Sequence, residues 1–185
     1  MDNLKELRVL YAEDDLKTRE SMIRILKRFF GELVAVENGE VGLKKFKEYL
    51  SKKEPFDIVI TDINMPVMNG IDMIRSIREL DVTIPILLVT AHSEANHLFD
   101  AINLNVSQYV VKPVNLTIFV EKIKTAYLPI QQKKELEMRN DELIRLNDKI
   151  KQIAKRELED IKKLLPDNLD KDFNNIFENI SIMKN

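Results

Sequence analysis

The stretch Ile60-Thr61-Asp62-Ile63-Asn64-Met65-Pro66 decides the fold, because in it a carboxylate directly follows a short apolar run. That run, residues 57–61, has the continuous apolar character of a strand that is covered on both faces of a sheet. Three other strand-type runs are followed by polar residues: Glu13 and Asp14, Thr90, and Lys112. Since ligands bind at the carboxyl ends of strands in open α/β sheets, these side chains are predicted to meet at one edge.

Strand-type and helix-type segments alternate up to about residue 127. The predicted strands are residues 7–12, 33–36, 57–61, 85–89 and 108–111. The predicted helices are Leu16–Phe30, a segment ending near Leu50, a segment through Ile71, Ile74 and Ile77, Glu94–Leu104, and Leu116–Leu128. Gly31 is expected to stop the first helix in a left-handed conformation, and Asn38-Gly39 is expected to form a turn. Five βα units with short connections predict a doubly wound parallel α/β sheet.

The composition indicates a globular protein and excludes several kinds of partner and site. The chain has 185 residues, of which 44% are hydrophobic and 32% charged, enough for one ordinary domain and a remainder. A formal net charge of −2 gives no polycationic tail for nucleic acids or membrane surfaces. The absence of cysteine excludes disulfides and thiolate metal sites. No apolar run approaches the ~20 residues of a membrane span and no signal peptide begins the chain, so a cytoplasmic protein without membrane insertion is expected.

The carboxylates after the first and third strands form a candidate cation site. Several carboxylates a few ångströms apart cannot all stay ionised without compensation, and Mg²⁺ with oxygen ligands resolves the conflict. Asp14 and Asp62 are expected to ligate directly, and Glu13 through a water molecule. The backbone carbonyl of Asn64 would fill a further position, and Mn²⁺ is expected to substitute for Mg²⁺.

The remaining two polar residues fit the binding of a phosphoryl group beside that cation. Lys112 would set a point charge against the incoming group, and the Thr90 hydroxyl would donate a hydrogen bond to one of its oxygens. Taken singly, Thr90 is also compatible with a cap, and Lys112-Pro113 with a turn. The neighbouring Asp15 is expected to cap the first helix rather than to bind a metal.

Four motifs carry a resemblance to a known family: EDD-x-x-x-R with Arg19, TDINMP-x-MNG with Asp62, VTA with Thr90 and YVVKP with Lys112. Together they resemble the receiver domain of bacterial two-component response regulators, over residues 1 to about 127. The resemblance implies a flavodoxin-like sheet in the order 2-1-3-4-5, with Asp62 as the phosphoacceptor in a Mg²⁺-dependent reaction. It also implies a sensor histidine kinase or phosphotransfer protein as the donor, and no enzymatic activity beyond self-phosphorylation and slow self-dephosphorylation.

The same resemblance implies a switch role for Tyr109, as a rotating aromatic ring that couples to Thr90. The alternative is a half-buried tyrosine at the edge of a strand. Where the family usually has Gly-Ala, this chain has Asn105-Val106, and asparagine tolerates the left-handed conformation that such a turn needs. His92 is either a rim residue that tunes the lifetime of the phosphoryl group or an exposed polar side chain. His97 is expected on the surface of the fourth helix.

The composition changes after residue 128, and three regions are predicted: a receiver at 1–128, a long helix at 129–165, and a short amphipathic helix or tail at 166–185. Residues 129–165 contain no glycine and no aromatic residue, and their ten basic and eight acidic residues are interspersed as on a solvated helix. Pro129 is expected to open this helix at its first turn, and Pro166 to close it.

The long helix carries a stripe of apolar residues. The stripe comprises Leu136, Leu143, Leu146, Ile150, Ile153, Leu158, Ile161 and Leu165, with Ala154 alongside. Its first part repeats every seven residues, with Arg139 as an interruption, and its second part is nearer an eleven-residue repeat, which straightens a left-handed supercoil. The stripe predicts a dimeric coiled coil, with a partner helix or a fold-back onto the receiver as alternatives.

The leading hypothesis is a response regulator whose phosphorylation changes a helical dimerisation or docking element. A DNA-binding effector is not expected after the receiver, because residues 129–185 lack a turn glycine and a compact basic domain. An alternative is the regulatory fragment of a larger output enzyme such as a serine phosphatase, cyclase or kinase. A phosphatase of the haloacid dehalogenase type is disfavoured, because it needs an aspartate general acid where this chain has Asn64.

Overall fold

The structure, a computed structural model, describes residues 4–91 and 101–164. A short 3₁₀ helix, Leu4–Glu6, precedes the first strand. The strands are β1 (Arg8–Ala12), β2 (Glu32–Val36), β3 (Ile58–Asp62), β4 (Ile86–Thr90) and β5 (Gln108–Val111). The helices are α1 (Leu16–Leu26), α2 (Gly39–Ser51), α3 (Gly70–Leu80) and the C-terminal helix (Leu116–Leu164). Residues 101–103 are helical, while the rest of the predicted helix Glu94–Leu104 lies mainly outside the described residues.

The five strands form one parallel sheet in the order β2-β1-β3-β4-β5, which confirms the predicted fold class. β3 lies at the centre of this sheet and every one of its residues is buried. β1 and β4 lie on either side of β3, so the carboxyl ends of these three strands are adjacent. This order brings residues that are far apart in the sequence to a single edge.

Two hydrophobic cores cover the two faces of the sheet, because successive strand residues point to opposite faces. Leu10 and Val59 belong to the core that includes the apolar faces of α2 and α3. Val9 and Ile60 belong to the other core, with the apolar face of α1 and the first turns of the C-terminal helix. Because neighbouring apolar residues of each strand enter opposite cores, helices pack against both faces of the sheet.

Two glycine predictions are wrong. α1 ends at Leu26, and Gly31 does not adopt a left-handed conformation. Glycine is needed there because a Cβ atom would lie 2.1 Å from the carbonyl oxygen of Lys5. Asn38 and Gly39 do not form a free turn: Asn38 caps α2 by accepting a hydrogen bond from the Val41 N–H, and α2 begins at Gly39.

Other local predictions are confirmed. Asp15 caps α1 and accepts the Thr18 N–H at 2.8 Å. Asn105 has a φ of 51°, the left-handed conformation expected at that turn. Its carbonyl accepts a hydrogen bond from Arg78, whose guanidinium also donates to the carbonyls of Asp81, Ile84 and Leu104. Arg78 thereby connects the end of α3 to the segments that precede β4 and β5, and burial lowers the pKa of its guanidinium.

The C-terminal helix runs without interruption from Leu116 to Leu164, so the expectation that Pro129 opens a new helix is wrong. Pro129 lacks an N–H, which deprives the carbonyl four residues earlier of its helical partner, but the turns on both sides keep theirs. The predicted stop at Pro166 and the segment 166–185 lie outside the described residues.

The chain divides into two compact units, Met1–Gln131 and Gln132–Asn185. In the second unit, the described part of the apolar stripe is exposed at Leu136, Leu143, Leu146, Ile150, Ile153 and Ile161. Among the described residues, no helix combines the length and apolar character that crossing a membrane requires.

Candidate functional site

An acidic cluster lies at the carboxyl edge of the sheet. Glu13 and Asp14 follow β1, and Asp62 is the last residue of the neighbouring β3. Each offers a carboxylate oxygen that lies within 4.8 Å of those of the other two. Glu13 and Asp62 are 1% and 6% exposed, whereas Asp14 is open to solvent. The three predicted metal ligands with carboxylate side chains are thus together, and the fourth, Asn64, follows Asp62 by two residues.

Lys112 joins this cluster from the end of β5. Its ammonium lies 2.6 Å from Asp62 Oδ2 and 3.0 Å from Glu13 Oε2. Its backbone N–H donates to the Thr90 carbonyl at 2.8 Å, and the peptide bond to Pro113 is cis. One cation therefore bridges the two buried carboxylates at the carboxyl ends of neighbouring strands.

The electrostatics of the cluster follow from burial and this ion bridge. Burial raises the pKa of Glu13, as does the charge of Asp62, although hydrogen bonds from Lys112 and Tyr11 oppose the shift. Burial alone would lower the pKa of Lys112, but its hydrogen bonds to Asp62 and Glu13 outweigh burial, and the net pKa is raised. With three carboxylates around one ammonium, the cluster has an excess of negative charge that a further cation would neutralise.

The backbone around the cluster is held by specific contacts. The Arg19 guanidinium donates to the carbonyls of Glu13 at 2.6 Å and Asp14 at 2.8 Å, which fixes the turn after β1. Asp62 Oδ1 accepts the Ile63 N–H at 2.7 Å, so this oxygen is oriented by its own backbone. At Gly70 a Cβ atom would lie 2.0 Å from the Asp62 carbonyl oxygen, so the start of α3 can approach the site only with glycine.

The residues present fit a hard divalent cation. The donor set consists of oxygen atoms only, and two of its three carboxylates are nearly buried. Mg²⁺ prefers such ligands and keeps several water molecules, which the exposed side of Asp14 allows. An acidic cluster of this kind is typical of the Mg²⁺ site of receiver domains.

The two predicted switch residues lie on neighbouring strands. Thr90 is the last residue of β4, where its hydroxyl donates to the Ala91 carbonyl at 3.1 Å. Tyr109 is on β5 opposite Leu88, and 48% of its surface is exposed, so its ring points outward. His92 and His97 lie outside the described residues.

Tyr11 is a site residue that the sequence analysis missed. It is 1% exposed, and its hydroxyl donates to Glu13 Oε2 at 3.3 Å. Burial and the neighbouring Glu13 raise the pKa of Tyr11, so the phenol is a neutral donor. The sequence did contain a signal for this contact, because residues two apart on a strand share a face and Tyr11 precedes Glu13 by two residues. Both also line a cavity of about 380 Å³ beside α1.

Comparison with known proteins agrees with this geometry. A sequence profile of the response regulator receiver domain matches residues 9–124. The chemotaxis protein CheY of Pseudomonas aeruginosa is 32% identical over 118 residues, which cover 62% of this chain and 91% of that protein. The N-terminal domain of a Wolinella succinogenes protein, a solved structure, superposes with a TM-score of 0.62 at 27% identity and covers 69% of this chain and 99% of that one.

Similarity also extends to a much longer protein. The 3',5'-cyclic-nucleotide phosphodiesterase regA of Dictyostelium discoideum is 28% identical over 154 residues, which cover 81% of this chain. This chain spans 19% of the length of that phosphodiesterase. With the fold, the acidic cluster and the matched profile all in agreement, the chain belongs to the response regulator receiver domain family of two-component signalling and continues into a long C-terminal helix.

Proposed function

We propose that Asp62 accepts a phosphoryl group from the phosphohistidine of a sensor histidine kinase or phosphotransfer protein. The observation that carries the proposal is the convergence of Glu13, Asp14, Asp62 and Lys112 at the carboxyl edge of the sheet. In-line transfer of a phosphoryl group requires positioning and charge neutralisation more than covalent chemistry, and this cluster supports both. The chain itself acts as a regulator rather than as an enzyme.

In the proposed reaction a carboxylate oxygen of Asp62 forms a bond to phosphorus while the bond from phosphorus to the donor imidazole breaks. The imidazole leaves with the electron pair of that bond. Mg²⁺ bound by Asp14, Asp62, the carbonyl of Asn64 and, through water, Glu13 would neutralise the phosphoryl oxygens, with Mn²⁺ as a substitute. Lys112 exchanges its contact with Asp62 for one with a phosphoryl oxygen, and water later hydrolyses the acyl phosphate.

Intact-mass spectrometry after treatment with acetyl phosphate tests this assignment. Wild-type protein should gain one phosphoryl group in the presence of Mg²⁺, and EDTA should prevent the gain. Asp62→Asn should remain unlabelled, whereas Asp72→Asn, a control at an exposed aspartate on α3, should label normally. Equal labelling of Asp62→Asn would remove Asp62 as the acceptor.

The proposed switch uses Thr90 and Tyr109. A phosphoryl oxygen on Asp62 would draw the Thr90 hydroxyl toward it, and the Tyr109 ring would occupy the space that this movement opens. The outward position of the ring in the unmodified chain supports this sequence of events. Backbone NMR shifts on addition of beryllofluoride should reach β5 and its loops; shifts restricted to the acidic cluster would contradict the relay.

We propose that the output is dimerisation through the helical region 129–165, which follows a receiver at 1–128 and precedes the segment 166–185. The exposed stripe supports the proposal, because burying an apolar side chain of this size stabilises by about 1.5–3 kcal/mol. A partner helix and a fold-back onto the receiver remain the alternatives.

Light scattering on full-length variants tests the dimer against the other two arrangements. Ile150→Glu puts a charge into the stripe and should weaken a dimer, whereas Gln152→Glu adds the same charge at an exposed position outside the stripe. A wild-type protein that stays monomeric at tens of micromolar, with and without phosphorylation, would refute the dimer.

The second candidate function is the regulatory part of a larger output enzyme. It is favoured by one observation, the similarity over 154 residues to a phosphodiesterase that is much longer than this chain. The mass of the endogenous protein decides between the two: a polypeptide much larger than 21.6 kDa would favour the enzyme.

A further inference from the structure

Lys122 contacts the exposed face of Tyr109. Tyr109 lies on β5, and Lys122 lies two turns into the C-terminal helix. The Lys122 ammonium is 5.0 Å from the centroid of the Tyr109 ring. The same ammonium donates to Oε1 of Gln108 at 3.3 Å. One cation thus contacts both a residue next to Tyr109 and the ring itself.

The backbone on both sides of this contact is well anchored. Ile123, the residue after Lys122, is fully buried in the core beneath the helix. β5 is paired with β4 along its whole length. With the helix and the strand both anchored, the contact can change only through side-chain rotamers, and the proposed switch changes the rotamer of Tyr109. A cation over an aromatic ring is attracted by the electrons of the ring face, so the contact favours the rotamer that presents this face.

We propose that Lys122 is a positioning residue that holds the Tyr109 ring outward in the unmodified chain. The proposal rests on the proposed function, in which the ring moves inward when Asp62 is phosphorylated. The inward ring loses the ammonium, so the contact exists in one state and not in the other. A contact with this property shifts the balance between two states, whereas one made equally in both would shift nothing.

The consequence is that a contact outside the acidic cluster influences how readily the Tyr109 ring moves inward. A cation–π contact at a partly exposed site corresponds to a factor of about two to five in an equilibrium. Lys122 would therefore keep the outward ring about two- to fivefold more populated than it would be otherwise. The residue touches neither Asp62 nor the proposed metal ligands, so its loss should leave phosphorylation chemistry intact.

Three full-length variants test the proposal. Lys122→Met keeps an unbranched side chain and removes the charge, whereas Lys122→Arg keeps a cation that can cover the ring. Lys124→Met is the matched control: it lies two residues further along the helix, about 200° around its axis, and borders a groove beside Phe29 instead. The Tyr109 ring is observed by fluorine NMR of protein containing 3-fluorotyrosine, with the resonance assigned by Tyr109→Phe.

In unmodified protein, Lys122→Met should move the Tyr109 resonance toward its position with beryllofluoride. It should also lower the half-saturating beryllofluoride concentration about two- to fivefold, while Lys122→Arg and Lys124→Met stay close to wild type. An unmoved resonance in Lys122→Met, or a moved resonance with unchanged half-saturation, would overturn the proposal while Asp62 still labels with acetyl phosphate. Absence of labelling in wild type would instead remove the proposed function, and with it the proposed role of Lys122.

Discussion

Replacing Lys112 by methionine should change metal binding and phosphorylation in opposite directions. In the structure the Lys112 ammonium is 2.6 Å from Asp62 Oδ2 and 3.0 Å from Glu13 Oε2. It therefore neutralises part of the negative charge to which a metal ion would bind. Lys112→Met frees both carboxylates and should therefore strengthen Mg²⁺ binding. The same change removes the cation that would stabilise the transferring phosphoryl group, so labelling of Asp62 should become slower.

The expected gain in Mg²⁺ affinity can be bounded. At an effective dielectric constant of about 20, an ammonium and a divalent cation about 4 Å apart repel each other by about 8 kcal/mol. The Lys112 side chain is 29% exposed and can turn toward solvent, so most of this repulsion is relieved by water and movement. A remaining repulsion of about 1–2 kcal/mol corresponds to Mg²⁺ binding that is about five- to thirtyfold tighter in Lys112→Met.

Isothermal titration with MgCl₂ measures the affinity, and a time course of labelling by acetyl phosphate measures the rate. Loss of one preorganised donor to a developing oxyanion typically slows a reaction by a factor of about 100 or more, and a loss of this order is expected here. Lys17→Met is the control, because Lys17 lines the same cavity as Lys112 but takes no part in the ion bridge from Lys112 to Glu13 and Asp62. Weaker Mg²⁺ binding in Lys112→Met, or equal tightening in Lys17→Met, would refute the competition between lysine and metal.

Three further predictions concern stability, each measured by unfolding of the full chain. Val67 is a β-branched residue that is strained at a φ of 69° and is 79% exposed, so Val67→Asn should stabilise the protein by about 1 kcal/mol. Val82→Asn, at an exposed valine without a positive φ, should not stabilise it, and equal effects of the two substitutions would contradict backbone strain at Val67. Arg78→Met leaves four carbonyls without their cationic donor and should cost about 2–4 kcal/mol, far more than Arg75→Met on the same helix. Hydrogen bonds from two lysines lower the pKa of Glu48 to about 2. The stability that wild type has over Glu48→Gln should therefore be complete above about pH 4.5 and should be lost as the pH falls toward 2. A stability difference that does not depend on pH would contradict this prediction.

The fold and the grouping of the acidic side chains could be predicted because both depend on short-range patterns. Apolar runs marked the strands, and the polar residue at the end of each run marked the shared edge of a parallel sheet. β3 is an example: its five residues are all buried, and Asp62 at its end lies beside Glu13 as expected. Local capping was predictable for the same reason, as Asp15 shows.

The features that could not be predicted depend on contacts between distant parts of the chain. Gly31 is needed because the backbone at Lys5 approaches it, and Gly70 is needed because the end of β3 does. The sharing of Lys112 between Glu13 and Asp62 was equally hidden, since it depends on the reach of one side chain across two strands. Continuation of the helix through Pro129 could not be read from a local rule that favours proline at a first turn.

The backbone geometry also decides which parts of the molecule can carry a signal from Asp62 to Tyr109. β4 and β5 pair along four consecutive residues, and the Lys112 N–H extends the pairing by donating to the Thr90 carbonyl. Sliding one strand past the other would leave several backbone groups unpaired at about 1–3 kcal/mol each, whereas rotating two side chains leaves the pairing intact. The proposed relay must therefore run through rotamers of Thr90 and Tyr109 over a static sheet. In such a relay, a contact that favours a single rotamer, as we propose for Lys122, shifts the balance between the two ring positions.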